Sequence, residues 1–351
     1  MSEPTTSAPT KPVPKEQPLM YISSSPHLAS PVHTQKLMGR VLIALAPASI
    51  FGVFLFGLPA LLTILVSITA AGLAEALFRK ITGQNIRNGD CSAVVTGLLL
   101  ALILPPGMPL WMTALGSAFA IIVGKEFFGG LGANVFNPAL IGRAFLVLSF
   151  PAAATTWSLP KAVFSTTGDA VSGATPLALI KTGGSIADVG ADFTAMGAAA
   201  AGDYWSTIQT LFFGIREGCI GESSIVLILI GCAYLLLTKT IDWRAPLSMT
   251  VSVFVFSFLF GRDPLFSIMA GGILFGAVFM ATDYVTAPIT TTGKLIFGFG
   301  AGLITVLIRQ WGNYPEGVTY GILIMNAATP FLNRLLQKKY GHVKPVKGGA
   351  S

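Results

Sequence analysis

The amino-acid sequence predicts an all-α polytopic membrane protein, with about ten transmembrane segments arranged as two inverted five-helix repeats containing broken or short helices. Three observations predict it. Charged residues make up 11% of the 351-residue chain and hydrophobic residues 53%, whereas soluble domains run near a quarter charged and still need polar cover over their cores. Apolar segments follow one another with only short breaks. Landmarks in the first half also recur in the second.

The first 36 residues are polar and proline-rich and read as a cytoplasmic tail; no apolar stretch follows a basic start, so no cleaved signal peptide is expected. Ten apolar segments follow, at about 38–56, 58–77, 92–104, 110–124, 138–150, 224–237, 245–260, 265–281, 294–308 and 320–333. Several are shorter than the ~20 residues of a full span. Short, glycine- or proline-interrupted segments are the pattern of broken helices, whose irregular backbone has to be buried in protein or line a cavity. Residues 37–150 form the first repeat, 151–223 a long loop, 224–335 the second repeat, and 336–351 a basic, glycine-rich tail.

The repeat rests on recurring pairs. Asp90 and Asp263 each open an apolar segment. Gly124-Lys125 and Gly293-Lys294 each precede glycine-rich stretches. Asn137-Pro138 and the Asn326–Pro330 stretch fall at comparable places. Five spans per half is an odd number, so the second copy is inverted, which places ligand sites at the repeat interface.

Net charge is +7, yet the basic residues sit between apolar runs rather than in an aromatic-interleaved patch, which argues against nucleic acid. With the N-terminus inside, sixteen of the 22 Lys and Arg residues fall on cytoplasmic pieces, five on outer pieces, and Arg143 within a span. The positive-inside rule then places both termini in the cytoplasm and the 151–223 loop outside. That loop gathers Asp169, Asp188, Asp192, Asp203, Glu217 and Glu222, and a long loop in a compact protein is usually functional or disordered.

Cys91, Cys219 and Cys232 are far apart, with no C-x-x-C pair, and read as small packing residues rather than ligands of a metal or cluster held by this chain alone. His27, His33 and His342 are too scattered for a metal site. Asp90 and Asp263 suit helix N-caps. Asp283 follows a span instead of starting one, so capping explains it less well; with Thr282 and Thr286 it is a candidate for gating or coordinating a cation. Glu222 and Glu126 are weaker candidates, and Arg143 either pairs locally or meets a ligand phosphate.

The outer loop holds Asp169-Ala-Val-Ser172-Gly173-Ala174-Thr175-Pro176. By composition alone this is a surface turn. It also exposes a threonine hydroxyl between small neighbours, with an acid close by. The segment resembles the flavinylation motif of the membrane subunits of Rnf complexes and of the related sodium-pumping NADH:quinone reductase. In order along residues 20–335, Asn88–Ala93, Lys125–Ala139, Gly218–Glu222, Phe279–Asp283 and Tyr314–Gly317 resemble further blocks of the same family. The N-terminal Ser23–His27 is more similar to the Rnf branch of that family.

The resemblance implies FMN joined through a phosphoester to Thr175, with Asp169, Ser172, Gly173 and Ala174 completing the motif. It also implies a non-covalent riboflavin between the halves, for which Asn134, Asn137 and Asp283 are the expected contacts. Glycines 129, 130 and 132 would let backbone approach a flat ligand, and Asn amides match a ring edge that both donates and accepts. The implied function is a subunit of an ion-translocating oxidoreductase in the bacterial inner membrane, acting only within its complex. Its implied partners are the other Rnf subunits, with peripheral flavin and iron–sulfur carriers, and a separate flavin transferase. A channel or secondary transporter for a small polar solute fits the short spans and inverted repeat equally well, but it has no need of D-x-x-S-G-A-T.

Overall fold

The computed structural model describes residues 33–84, 88–158, 172–173, 175–195, 203–214, 216–312, 314 and 316–335. The regular structure among them is helical apart from one two-residue antiparallel pair. In chain order the helices are α1 (Thr34–Phe56), α2 (Leu58–Ile81), α3 (Ser92–Leu102), α4 (Leu110–Ile122), α5 (Pro138–Ser149) and α6 (Pro151–Ala154). Strands β1 (Trp157–Ser158) and β2 (Ser172–Gly173) are followed by α7 (Pro176–Lys181), α8 (Ile186–Ala195) and α9 (Tyr204–Phe213). Then come α10 (Ile225–Leu237), α11 (Arg244–Leu259), α12 (Pro264–Met269), α13 (Ile273–Phe275), a π-helical turn Gly276–Met280, α14 (Thr291–Trp311) and α15 (Val318–Leu335).

Among the described residues, four stretches are long and apolar enough to cross a membrane: Thr34–Phe56, Leu58–Ile81, Leu110–Phe128 and Thr291–Trp311. Four shorter apolar helices accompany them: Ser92–Leu102, Pro138–Ser149, Ile225–Leu237 and Arg244–Leu259. Large apolar side chains cover the outside, among them Leu73 at 70% and Leu237 at 82% exposure. A surface of this kind is unstable in water and suits lipid. The chain is a multi-pass membrane protein.

The expected segment 265–281 is the main departure from a simple span. It breaks into α12, α13 and the π turn, because Gly271 and Gly272 take successive left-handed conformations (φ 70° and 66°) that end one helix and start another. The 151–223 segment is not a bare loop: its described residues carry four short helices, α6 to α9.

α3 sits at the centre, with ten of its eleven residues buried. Eleven residues rise only about 16 Å, so the helix ends inside the protein and its last carbonyls have no helical partner. The segment before α10 supplies them. The Gly221 amide donates to the Leu102 carbonyl at 2.7 Å, the Ile220 amide to Leu104 at 3.3 Å, and Cys219 Sγ to Ile103 at 3.0 Å. Gly221 is needed for that approach, since a Cβ there would lie 2.7 Å from Leu102 Cβ. The broken end of α12 is satisfied by cations instead. Arg309 donates to the Ser267, Ala270 and Gly271 carbonyls at 2.7, 3.0 and 3.1 Å, and Arg216 to Met269 at 2.6 Å. Guanidinium groups at a helix C-terminus also complement its dipole.

Small residues set the closest helix contacts. α14 lies on α11 through Gly298 and Gly302, where a Cβ would stand 2.4 Å from the Ala245 carbonyl and 2.6 Å from the Met249 carbonyl. Gly302→Val therefore pushes two backbones apart. The expected outcome is a loss of about 1–3 kcal/mol, read as a lower thermal midpoint in detergent. Gly300→Ala, which meets only the flexible end of Met325, should change the midpoint far less.

Candidate functional site

Between α4 and α5 the chain turns through Gly129, Gly130 and Gly132, all with φ between 92° and 109°. This path brings Asn134 and Asn137 to a cavity and ends where Asn137 caps α5. Asn137 Oδ1 accepts from the Ala139 and Leu140 amides at 3.0 and 3.4 Å, leaving its amide nitrogen outside the cap. Asn134 is 5% exposed and donates to the Phe136 carbonyl at 3.0 Å, while its own Oδ1 has no partner.

From the other half, the π turn and the following residues bring Val278, Phe279, Thr282, Asp283 and Tyr284 to the same cavity. π-helical turns of this kind are frequent at functional sites. Asp283 folds into a turn, accepting from the Thr286 hydroxyl at 3.2 Å and the Val285 amide at 3.5 Å. It is not a cap. Of the two other acids, Asp263 does cap its helix, accepting from the Phe266 amide at 2.7 Å. Asp90 accepts from the Ser92 amide at 2.9 Å, with Cys91 intervening. Asn134, Asn137 and Asp283 therefore line one cavity with apolar walls and few polar atoms, as ligand pockets generally do. The orphaned Asn134 oxygen fits a ligand that presents a ring N–H.

A charged group adjoins this cavity; the sequence offers Glu126 as a weaker candidate and gives Glu75 and Arg79 no site role. Lys125 is 1% exposed and Glu75 0%. Their N···O distance is 3.0 Å, and Lys125 also donates to Ser92 Oγ at 2.6 Å. Arg79 meets Glu75 at 3.0 Å and Glu126 at 3.1 Å. Two cations and two carboxylates balance, which is what allows them to leave water. The usable signal was Glu75 and Arg79 at i, i+4 inside an apolar helix.

On the 151–223 segment, β1 pairs antiparallel with β2, Trp157 opposite Gly173 and Ser158 opposite Ser172. Thr175 follows directly, is 5% exposed, and caps α7 by accepting from the Ala178 amide at 3.2 Å. α7 is fastened by Lys181, which donates to the Tyr314 carbonyl at 2.8 Å and to the Gly312 carbonyl. Asp169 and Ala174 lie outside the described residues. A small cleft beside β1 is lined by Trp157, Arg143, Tyr314, Glu316 and Tyr320, and the Tyr320 hydroxyl has no partner.

Arg143 pairs locally. It meets Glu316 directly and Glu222 at 3.9 Å, tying α5 to the segments that precede α15 and α10. Burial pushes the Glu222 carboxyl up, as does the charge of Glu316, against the pull of Arg143 and Arg216. Cys219 Sγ and oxygens of Glu222 and Glu316 lie within 4.8 Å of one another, but Arg143 already occupies both carboxylates.

Two outcomes follow from these charges. Glu75→Gln leaves Lys125 and Arg79 to share the single carboxylate of Glu126 in the interior and should cost about 3–5 kcal/mol, with Glu75→Gln/Lys125→Met recovering part of the loss in detergent melts. Glu217 is 5% exposed with one oxygen unpartnered, and burial, reinforced by Asp192, pushes its carboxyl from 4.5 to about 7. The folded state thus keeps a proton that the unfolded chain has lost, so stability falls as pH rises from 4.5 through about 7. Glu217→Gln should match wild type in melts near pH 4.5 and exceed it above pH 7.

A profile of the NQR2, RnfD, RnfE family matches residues 21–341. The chain is 45% identical to the D subunit of the proton-translocating ferredoxin:NAD(+) oxidoreductase complex of Clostridium ljungdahlii, covering 94% of this chain and 96% of that one. It is 40% identical to the D subunit of the Na(+)-translocating ferredoxin:NAD(+) oxidoreductase complex of Acetobacterium woodii, covering 93% and 97%. It is 39% identical to the D subunit of the ion-translocating oxidoreductase complex of Stutzerimonas stutzeri, covering 87% and 92%. On both counts, the chain belongs to the NQR2, RnfD, RnfE family.

Proposed function

We propose that this chain is the flavin-bearing membrane subunit of an Rnf-type complex, passing electrons across the membrane between ferredoxin and NAD+ with coupled movement of Na+ or H+. The observation that carries this reading is near full-length similarity to subunits named for that reaction, in a chain that keeps D-x-x-S-G-A-T intact at Asp169–Thr175. The two relatives are named for different ions, so the ion is left as either.

Thr175 anchors FMN through its phosphate and performs no acid–base step. Its hydroxyl oxygen accepts in the α7 cap and is the atom that would carry the FMN phosphate. At 5% exposure, the segment has to open for a transferase to reach it. The cleft of Trp157, Tyr314 and Tyr320 beside β1 offers aromatic faces to a tethered ring. Riboflavin occupies the cavity of Asn134, Asn137 and Asp283. The flavins supply the redox chemistry, and the protein supplies position and electrostatics.

The inverted repeat belongs to the same reading. α2 packs on α3, α4 and α4 on α5; α11 packs on α12, α14 and α14 on α15. This parallel order supports two similar halves, and the Lys/Arg distribution supports the 151–223 segment outside and both termini in the cytoplasm of a bacterial inner membrane. The partners are the other Rnf subunits and surrounding lipid.

Co-expression with a flavin transferase tests the anchor. The denatured wild-type chain should fluoresce in a gel under ultraviolet light, and Thr175→Ala should not. In the Asn134→Ala/Asn137→Ala variant the gel band should persist while acid-extractable riboflavin is lost; retention of that flavin would remove the assignment of the cavity.

A further inference from the structure

The wall of the Asn134 cavity also contains Ser92 and Lys125. Ser92 Oγ donates to Asp90 Oδ1 at 2.6 Å and accepts from Lys125 Nζ at 2.6 Å. Asp90 in turn lines a separate, wider cleft with Thr34, Arg79 and Gln84. One side chain, Ser92, thus touches the cavity on one side and an acid facing a polar cleft on the other.

We propose that Ser92 and Asp90 form a proton relay joining the flavin cavity to this cleft. The proposal rests on the reading of the cavity as a flavin site. Lys125 sets the direction of the relay. It is 1% exposed and held by Glu75 at 3.0 Å, with Glu126 at 3.9 Å and Arg79 bridging both carboxylates. Its ammonium occupies one lone pair of Ser92 Oγ, so the hydroxyl's own proton is turned toward Asp90 and the second lone pair stays free to accept.

When an electron leaves the cavity for an oxidised flavin or iron–sulfur centre of a partner subunit, the proton released with it bonds to that free lone pair. The Ser92 O–H bond breaks as a new O–H bond forms on Asp90 Oδ1, and Asp90 then loses the proton to water in the cleft. An electron arriving from a reduced centre of a partner subunit runs the same transfers backwards. Lys125 keeps its charge throughout. Without such a route, an apolar cavity holds every released proton beside the site that must be re-reduced, at the cost of charge buried in low dielectric.

Asp90 also accepts from the Ser92 backbone amide at 2.9 Å. Asp90→Asn preserves that bond and removes only the basic site. The test uses the assembled complex in membranes and compares wild type, Asp90→Asn, Ser92→Ala and Ser92→Thr. Three quantities are measured: flavin content, the redox rate of the extractable flavin in H2O and D2O, and the redox-triggered infrared difference spectrum. Asp90→Asn should keep wild-type flavin content, slow the step about tenfold or more, and lose a protonated-carboxyl band that wild type shows only transiently during oxidation. Ser92→Ala should slow it similarly, and Ser92→Thr should restore it. If Asp90→Asn disturbs the fold, the Ser92 pair carries the same comparison. Asp90→Asn with an unchanged rate, isotope effect and infrared spectrum overturns the relay. Wild type without extractable flavin overturns the cofactor reading itself, a result visible before any variant is made.

Discussion

The structure depends on satisfying backbone carbonyls where two helices end inside an apolar body. α3 stops at Leu102 and α12 at Met269, and each leaves C=O groups that lipid cannot serve, at a cost of several kcal/mol apiece. One segment answers both breaks. Gly221, Ile220 and Cys219 bond the carbonyls after α3, and Arg216, three residues before Cys219, bonds the end of α12. Arg309 completes the second break. The stretch from Arg216 to Glu222 therefore ties the broken helix of one half to that of the other.

Buried charge follows the same rule. Arg143 is held between Glu222 and Glu316, and Glu75, Arg79, Lys125 and Glu126 neutralise one another. Neither group is a strong source of stability, since pairing only offsets desolvation. What such pairs do supply is position. Lys125 orients Ser92 at the cavity wall, and Arg143 fixes the segment that Lys181 uses to dock the α7 helix behind Thr175.

Much of the helical order was legible because it is local. Asn137-Pro138 and Asp263-Pro264 announce a cap followed by proline at the first helical position, and both helices start there. The apolar runs marked nearly every long helix. The break at Gly271-Gly272 was not legible as such, because hydropathy is blind to backbone conformation and the run stays apolar across it. The roles of Lys125 and Arg309 were hidden for a different reason. A charge count treats every Lys and Arg as a topology marker, whereas these two are buried against groups remote in sequence, Lys125 on the Glu75 carboxylate and Arg309 on the Ala270 carbonyl. Asn134, Asn137 and Asp283 were named together on the family resemblance and line one cavity; Asp169 and Ala174 lie outside the described residues.

The central claim is that one chain carries two flavins by different means. The most direct test is flavin stoichiometry on the chain purified from cells that contain the transferase, before and after denaturation. The account predicts two flavins per chain, one released as riboflavin and one retained on the polypeptide as FMN. A chain that retains no flavin after denaturation, or releases none, would contradict it.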